Sequence, residues 1–109
     1  MEKFACLCCG CLTLYERGGY YICPVCFWED DAFTAFTDDD FHVLGTGDET
    51  YETVSEELLN LPSGANHGLT LRQGRENYRK FGACIEDMIP HVRKPMKSEL
   101  PDKTDQCKN

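Results

Sequence analysis

A chain of 109 residues has the length of one small domain, whose apolar core would be thin without added cross-links. Its 19 acidic and 11 basic residues give a net charge of −8, which argues against a nucleic-acid phosphate backbone as the main partner. No apolar run reaches the length of a membrane span, so we expect no contact with a membrane.

The cysteines are the first feature along the chain. The clusters near the N-terminus consist of Cys6, Cys8, Cys9 and Cys11, followed by Cys23 and Cys26. Read as two Cys-x2-Cys knuckles, they offer four thiolates to one tetrahedral ion, as in structural zinc sites. We therefore predict a zinc site formed by Cys6, Cys9, Cys23 and Cys26, with iron or a disulfide pair as the alternatives.

The first cluster allows two registers, because Cys8 and Cys11 form a Cys-x2-Cys pair of their own. A glycine directly after the second cysteine relieves the crowded backbone of a knuckle, and Gly10 follows Cys9. This favours Cys6 and Cys9 as the ligands. Cys8 is then a packed thiol or a redox-sensitive neighbour.

Eight cysteines in a short chain could also form a secreted disulfide framework. Residues 1–4 lead straight into the first cluster, however, with no apolar signal region. We therefore expect reduced thiols and a cytoplasmic location. Cys84 and Cys107 lie far along the chain and are expected to take no part in the site.

Between the clusters, residues 12–15 and 20–22 are β-prone. They flank Gly18 and Gly19, which can take the positive φ of a tight turn. The pattern predicts a hairpin that joins the two knuckles. Trp28 follows the second knuckle and is large enough to cover the metal site.

Residues 32–62 form an acidic segment in which we expect a loop with little regular structure and a turn at 45–48. A capping signal at 53–56 precedes the short apolar run 57–61, and Pro62 ends it. One or two helical turns are predicted there.

The clearest helix is predicted over residues 71–81. Thr70 and Gln73 form a capping box at its start, and Gly82 stands at the C-terminal position where a left-handed residue ends a helix. Its apolar stripe consists of Leu71, Tyr78 and Phe81. Residues 85–89 predict one more packed turn before Pro90.

These elements predict a small α+β fold, in which a zinc-ribbon-like β-hairpin with two Cys knuckles is joined to one main helix. Residues 1–94 are expected to form a single zinc-stapled domain with 32–62 as an acidic insertion. The polar residues 95–109 are expected to form a flexible tail.

Charge is unevenly distributed along the chain. From Glu29 to Glu57 there are eleven carboxylates and no lysine or arginine. The pattern predicts a basic protein partner, unless this segment pairs with the later basic residues or is simply solvated. The candidate contact residues are Asp38, Asp39, Asp40, Asp48, Glu49, Glu52, Glu56 and Glu57.

Several motifs occur together and in order: Cys6-x-Cys8-Cys9-Gly10, the run from Cys23 to Asp31, Gly64-Ala65-Asn66, and residues 71–82. In them the chain resembles the bacterial cysteine-rich CPCC family. Leu7 and Cys11 depart from the family pattern, which tends to have a proline and an aromatic residue there. The resemblance implies a zinc-ribbon-like domain without settled enzymatic activity. Some family members are suspected of being immunity proteins beside toxins, and a small acidic inhibitor of a basic toxin fits that idea.

Two other functions remain open from the sequence. A nucleic-acid-binding ribbon would use Arg72, Arg75, Arg79 and Lys80 with nearby tyrosines. A metalloenzyme would use His67, or the acidic residues 29–31, but four cysteines close a metal's coordination shell to water. The carboxylates of 29–31 are instead expected to orient the second knuckle, with Asn66 and Arg75 as partners.

Overall fold

The computed structural model describes residues 3–16, 19–31, 33–37, 40–45 and 49–100. Its strands are β1 (Phe4–Ala5), β2 (Leu12–Leu14), β3 (Thr34–Thr37) and β4 (Asp40–Val43). Its α-helices are α1 (Glu56–Leu59) and α2 (Leu71–Phe81), and 3₁₀ turns cover Gly64–Asn66, Glu86–His91 and Lys97–Glu99. The predicted small α+β fold with one main helix is confirmed.

Each cysteine knuckle is closed by its own pair of short extended segments. β1 and β2 pair antiparallel across the first knuckle, and Ile22 is bridged to Glu29 across the second. This corrects the predicted pairing of 12–15 with 20–22. A knuckle reverses the chain within a few residues. The segments that enter and leave it therefore lie closest to each other, and their pairing closes the shortest loop.

The acidic segment contains a hairpin, which corrects the expectation of a loop with little regular structure. β3 and β4 pair antiparallel, with Thr34 opposite Val43 and Phe36 opposite Phe41. Threonine, valine and phenylalanine favour strands, and here they outweigh the aspartates that suggested a loop. Most of the turn predicted at 45–48 lies outside the described residues.

The single turn of α1 agrees with the predicted short helix. Its N-cap is Ser55, whose hydroxyl oxygen accepts the Leu58 N–H at 3.3 Å. Leu58 is buried in the core, whereas Glu56 and Glu57 are exposed. Leu59 is partly buried and packs against the same core, so α1 anchors the acidic segment by two apolar side chains.

The bounds and both ends of α2 match the prediction. The Thr70 hydroxyl oxygen accepts the Gln73 N–H at 3.1 Å, the Gln73 side chain accepts the Thr70 N–H at 2.9 Å, and Gly82 is left-handed. The buried stripe differs by one member. It consists of Leu71, Gly74 and Tyr78, whereas Phe81 is exposed.

Gly74 is the point where α2 comes closest to the knuckles. A Cβ built on Gly74 would lie 2.8 Å from Trp28 Cζ3 and 3.2 Å from Cys8 Sγ. Both neighbours are buried and have little room to move. The helix can approach the ribbon this closely because the residue has no side chain.

We expect Gly74→Ala to destabilise the protein by about 1–2 kcal/mol, because overpacking against Trp28 outweighs the gain in helix propensity. Chemical unfolding of the metal-loaded protein measures the difference. Gly64→Ala is the matched control, since a Cβ there meets nothing within 4 Å. Equal stability of the two variants would contradict the close packing.

Residues 92–100 pack against the ribbon. The N–H of Arg93 donates to the Pro24 carbonyl at 3.2 Å, and the 3₁₀ turn Lys97–Glu99 contacts β2. Glu99 is buried and accepts two bonds from the Arg93 guanidinium, at 2.8 and 2.7 Å. Ordered structure thus continues to Leu100, inside the predicted flexible tail, while residues 101–109 lie outside the described residues.

The Arg93 guanidinium holds the pKa of Glu99 below its usual range. The Glu99 carboxylate therefore binds a proton more weakly in the folded state than in the unfolded chain. The stabilisation from the ion pair is present at neutral pH and is lost as the pH falls through the folded-state pKa, below about 4.5. We expect Glu99→Gln to be less stable at pH 7 by about 2 kcal/mol and the difference to shrink towards pH 3.

Unfolding free energies of both proteins across this range test the pH dependence, and effects of the cysteine site cancel in the difference. Glu57→Gln, at an exposed position, is the control and should differ little from the wild type. A stability difference between wild type and Glu99→Gln that stays constant with pH would contradict the ion pair.

No helix among the described residues is long and apolar enough to span a bilayer. The core centres instead on the knuckles and the buried face of α2. Its largest apolar members are Leu7, Leu14, Trp28, Phe33, Leu58, Leu71 and Tyr78.

Candidate metal centre

The structure brings together the four cysteines that the sequence analysis selected. The Sγ atoms of Cys6, Cys9, Cys23 and Cys26 all lie within 4.8 Å of one another, and all four residues are fully buried. Cys6 and Cys26 Sγ are 3.5 Å apart, and Cys9 and Cys23 Sγ are 3.7 Å apart. All four are free thiols, so they form no disulfide among themselves.

The spacing of the sulfurs fits a tetrahedral metal ion. Four sulfurs bound to zinc at about 2.3 Å stand about 3.8 Å from one another. The 3.5 and 3.7 Å pairs lie close to that value, and the upper bound of 4.8 Å leaves only a small contraction for the other pairs. An all-sulfur tetrahedral donor set is the kind that zinc and iron sites use.

The two knuckles have the same backbone form. In the first, the Gly10 N–H donates to the Cys6 carbonyl at 2.8 Å, and in the second the Phe27 N–H donates to the Cys23 carbonyl at 2.7 Å. Gly10 has φ +84° and Phe27 has φ +72°. Glycine takes this conformation freely, whereas Phe27 is strained there and its ring packs beside that of His91.

Every sulfur of the group accepts a hydrogen bond from outside the group. Cys6, Cys9 and Cys26 each accept the backbone N–H of the residue two positions later, at 3.4, 3.5 and 3.4 Å. Cys23 accepts the Thr13 hydroxyl at 3.1 Å. Donors that converge on sulfur stabilise the thiolate form, which is the form that binds a metal.

Burial raises the pKa of Cys6 and Cys26, and the hydrogen bond with Cys23 raises the pKa of Cys9. The pKa of Cys23 is lowered, because Cys26, Cys6 and Cys9 donate to its sulfur. The raised pKa values mean that a metal ion that binds all four sulfurs must displace protons from them, so its affinity falls as the pH falls.

Buried Asn66 fixes the second knuckle to the loop before α2. Its Oδ1 accepts the Glu29 N–H at 2.7 Å, and its Nδ2 donates to the Glu29 carbonyl and to Ser63 Oγ, both at 2.9 Å. The Ser63 hydroxyl donates to the Asp31 carboxylate, whose other oxygen accepts the Phe33 N–H at 3.0 Å. The predicted partnership of Asn66 with this segment is confirmed. The role of Ser63 was missed, and its one sequence signal is its position three residues before Asn66.

Arg75 supports the first knuckle rather than the second, which corrects its predicted partner. Its Nε–H donates to the Leu7 carbonyl and its Nη2–H to the Tyr51 carbonyl, both at 2.8 Å. Its guanidinium also stacks 3.9 Å from the centre of the Tyr51 ring. Burial lowers the pKa of Arg75 from the ordinary arginine value, which is so high that the side chain stays charged.

Cys8, Cys11 and Cys84 lie outside the group and are also part of the buried core. Cys11 is disulfide-bonded, which corrects the expectation that the cysteines are reduced thiols. Cys8 is buried under α2 beside Gly74, which agrees with its reading as a packed thiol. The Cys84 N–H donates to the Cys26 carbonyl at 2.7 Å, so Cys84 contributes backbone to the second knuckle. Burial raises the pKa of the Cys84 thiol to about 12, which makes it a poor nucleophile. Cys107 lies outside the described residues.

His67 is exposed and left-handed, at the end of the 3₁₀ turn Gly64–Asn66. It therefore lies at a surface turn, whereas the sulfur group is buried. The Asp31 carboxylate is already bonded to Ser63 and Phe33.

The structure describes only part of the predicted acidic contact surface. Asp38, Asp39 and Asp48 lie outside the described residues, and of Asp40 only the backbone, in β4, is described. Glu49 is half-buried, and Glu52, Glu56 and Glu57 are exposed. Glu56 bonds to Arg72 at 2.5 Å, so the acidic and basic segments do pair at this point.

Some of the basic residues that a nucleic acid could contact form hydrogen bonds within the chain. Arg72 bonds to Glu56 and Asn60, and Arg75 bonds to two carbonyls. Arg79 and Lys80 are exposed near the end of α2.

Comparison with known proteins gives one family. The chain matches the family model described as cysteine-rich CPCC over residues 4–46 and 49–99. No curated protein and no solved structure matches the chain.

Proposed function

Because the chain belongs to the cysteine-rich CPCC family, we propose that its four-cysteine group holds one structural zinc ion and that the folded domain acts by binding another protein. The observation that carries the zinc assignment is the buried group itself, in which four sulfurs are spaced for a tetrahedral ion and each accepts a hydrogen bond. Zinc favours this closed, all-sulfur coordination in structural sites.

The closure of the site supports a binding role over a catalytic one. Four cysteine ligands would leave zinc no position for a water or a substrate, so the metal would stabilise the fold without taking part in a reaction. The protein then acts through its surface. The four cysteines of the group are free thiols, and a reducing environment would keep them available to zinc.

The partner we propose is a basic protein. The net charge of −8 and the eleven carboxylates between Glu29 and Glu57 would attract a cationic surface and repel nucleic acid. Such a partner suits an immunity-type inhibitor, which binds and neutralises a basic toxin. Its acidic contact surface would include exposed Glu57 and the aspartate run 38–40.

The test is capture of the partner from the source cells with zinc-loaded protein, identification by mass spectrometry, and repetition at high salt. We expect a basic protein that is released by salt and that arrests growth when produced without this chain. Recovery of nucleic acid, or of an acidic protein that high salt does not release, would overturn the proposal.

Variants locate the contact. Asp38→Asn/Asp39→Asn/Asp40→Asn should slow association with the captured protein at least tenfold at low salt. The matched control, Glu76→Gln/Glu86→Gln/Asp87→Asn, removes the same charge from exposed positions elsewhere and should have a clearly smaller effect.

A further inference from the structure

The ribbon exposes an aromatic surface that the metal site does not use. Exposed fractions are 56% for Tyr15 and 44% for both Tyr20 and Tyr21. Phe4 and Ile22 of the same ribbon are similarly exposed. We call Tyr15, Tyr20 and Tyr21 the tyrosine face. Apolar and aromatic groups gathered on one surface of a small protein mark an interaction site more often than scattered ones do.

Two members of the tyrosine face pack against each other. The rings of Tyr15 and Tyr21 are in contact, with centroids 5.8 Å apart and planes tilted by 59°. Tyr15 and Tyr21 come from the two segments that lead out of the first knuckle and into the second. The metal-centred ribbon therefore holds their rings together on a rigid base.

One cation already lies on this face. The Lys3 ammonium stands 5.0 Å above the centre of the Tyr15 ring. The chain uses the same kind of contact internally, where the Arg75 guanidinium stacks on Tyr51. An aromatic ring attracts a cation through the negative potential of its face, and arginine adds stacking of its flat guanidinium.

A carboxylate lies in the turn between the two tyrosines that are in contact. The Glu16 side chain lies over Gly19, directly before Tyr20. Aromatic rings with a carboxylate nearby suit a side chain that has both a flat cationic surface and hydrogen-bond donors. Arginine has both, whereas lysine is a compact, strongly hydrated charge.

We propose that the tyrosine face binds an arginine side chain on the surface of the protein partner. This inference deepens the proposed function, on which it rests for the existence of a basic partner. The long-range charge of the acidic segment would speed the encounter, and the tyrosine face would hold the complex through a stacked arginine. A second copy of this chain is the poorer occupant, because two molecules of net charge −8 repel each other.

The test uses ¹⁵N-labelled, metal-loaded protein and three soluble Gly-Ser peptides that carry three arginines, three lysines or three citrullines at the same positions. The arginine peptide should shift the amide signals of Tyr15 and Tyr21 and bind at least threefold more tightly than the lysine peptide. The uncharged citrulline peptide should leave these signals unchanged.

Tyr15→Ala/Tyr21→Ala should weaken arginine-peptide binding at least fivefold, whereas Phe81→Ala/Ile89→Ala, which removes two exposed apolar side chains elsewhere, should not. Lys3→Ala should tighten binding by vacating the Tyr15 ring, and Lys80→Ala, with the same change in charge, should do so less. Equal binding of the arginine and lysine peptides, unaffected by the tyrosine substitutions, would overturn the proposal.

The two proposals fail in different ways. Arginine-peptide shifts confined to residues 49–57 would overturn the tyrosine face and leave the acidic contact surface standing. Concentration-dependent shifts of Tyr15 and Tyr21 without any peptide would show self-association and also overturn it. A captured partner that is not basic would remove the proposed function, whatever the peptides do.

Discussion

Cys23→Ser is expected to release the metal ion and to abolish the cooperative unfolding transition. Cys23 contributes one of the four sulfurs of the group and accepts the Thr13 hydroxyl. In zinc-finger peptides, zinc binding contributes roughly 10–16 kcal/mol of apparent folding free energy. The free energy of unfolding of a small domain is about 5–15 kcal/mol in total. Loss of one of four ligands therefore removes a contribution as large as the whole stability.

Elemental analysis of the purified protein measures the metal, and we expect about one zinc ion per wild-type chain and a small fraction of that in the variant. Near-UV circular dichroism follows the packing of Trp28, which is buried beside the site. A strong chelator should reproduce the effect of Cys23→Ser on the wild type, and the effect should be stronger at lower pH because protons compete with the metal.

Cys84→Ser is the matched control, since it also removes a buried free thiol. Cys84 lies outside the sulfur group, so we expect full metal content and a loss of about 1–2 kcal/mol from burying a hydroxyl. Retention of metal and cooperative unfolding in Cys23→Ser would contradict the site. Equal loss in both variants would show that any buried substitution unfolds the chain.

The features that the sequence predicted well are those whose signals are local. The spacing of the cysteines and the position of Gly10 selected the group that the structure brings together. The capping box at Thr70 and the glycine at 82 gave both ends of α2. In each case a few neighbouring residues contain the information.

Features that depend on distant partners could not be read in this way. Arg75 reaches the Leu7 carbonyl across 68 positions of the chain, and neither residue has a sequence pattern that indicates the contact. The close packing of Gly74 on Trp28 likewise depends on how α2 lies on the ribbon, which no local pattern indicates. Glu99 looked like part of a polar tail, although its charge is buried against Arg93.

The sulfur group is braced from two sides by residues that never touch the sulfurs. Arg75, on α2, donates to the backbone of the first knuckle, and Asn66, before α2, bonds to the backbone just after the second. Each bond sets the position of a peptide group and thereby the direction of the nearby cysteines. The loop and helix that follow the acidic segment thus determine how well the ribbon is organised to take a metal.

Asn66→Ala is therefore expected to destabilise the metal-loaded protein by about 3 kcal/mol, because it removes three hydrogen bonds from a buried position. It should also weaken zinc binding, by roughly 10–100-fold, since residues that orient metal ligands have effects of that size. Chemical unfolding and competition with a zinc indicator measure the two effects. Asn60→Ala, at an exposed position where the side chain accepts one bond from Arg72, should change stability by less than about 1 kcal/mol.

Asn66→Asp separates the hydrogen bonds from the shape of the side chain. A carboxylate can still accept the Glu29 N–H, but it cannot donate to the Glu29 carbonyl or to Ser63, and it adds negative charge near Asp31. Burial and that charge should raise the folded-state pKa of the new carboxyl group above its unfolded value, so the variant should lose stability as the pH rises from 4 towards 7. If this variant matched the wild type at neutral pH, the amide donors of Asn66 would not be what fixes the second knuckle. If it were as unstable as Asn66→Ala or more so, the bracing of the metal site would depend on a neutral amide with both a donor and an acceptor.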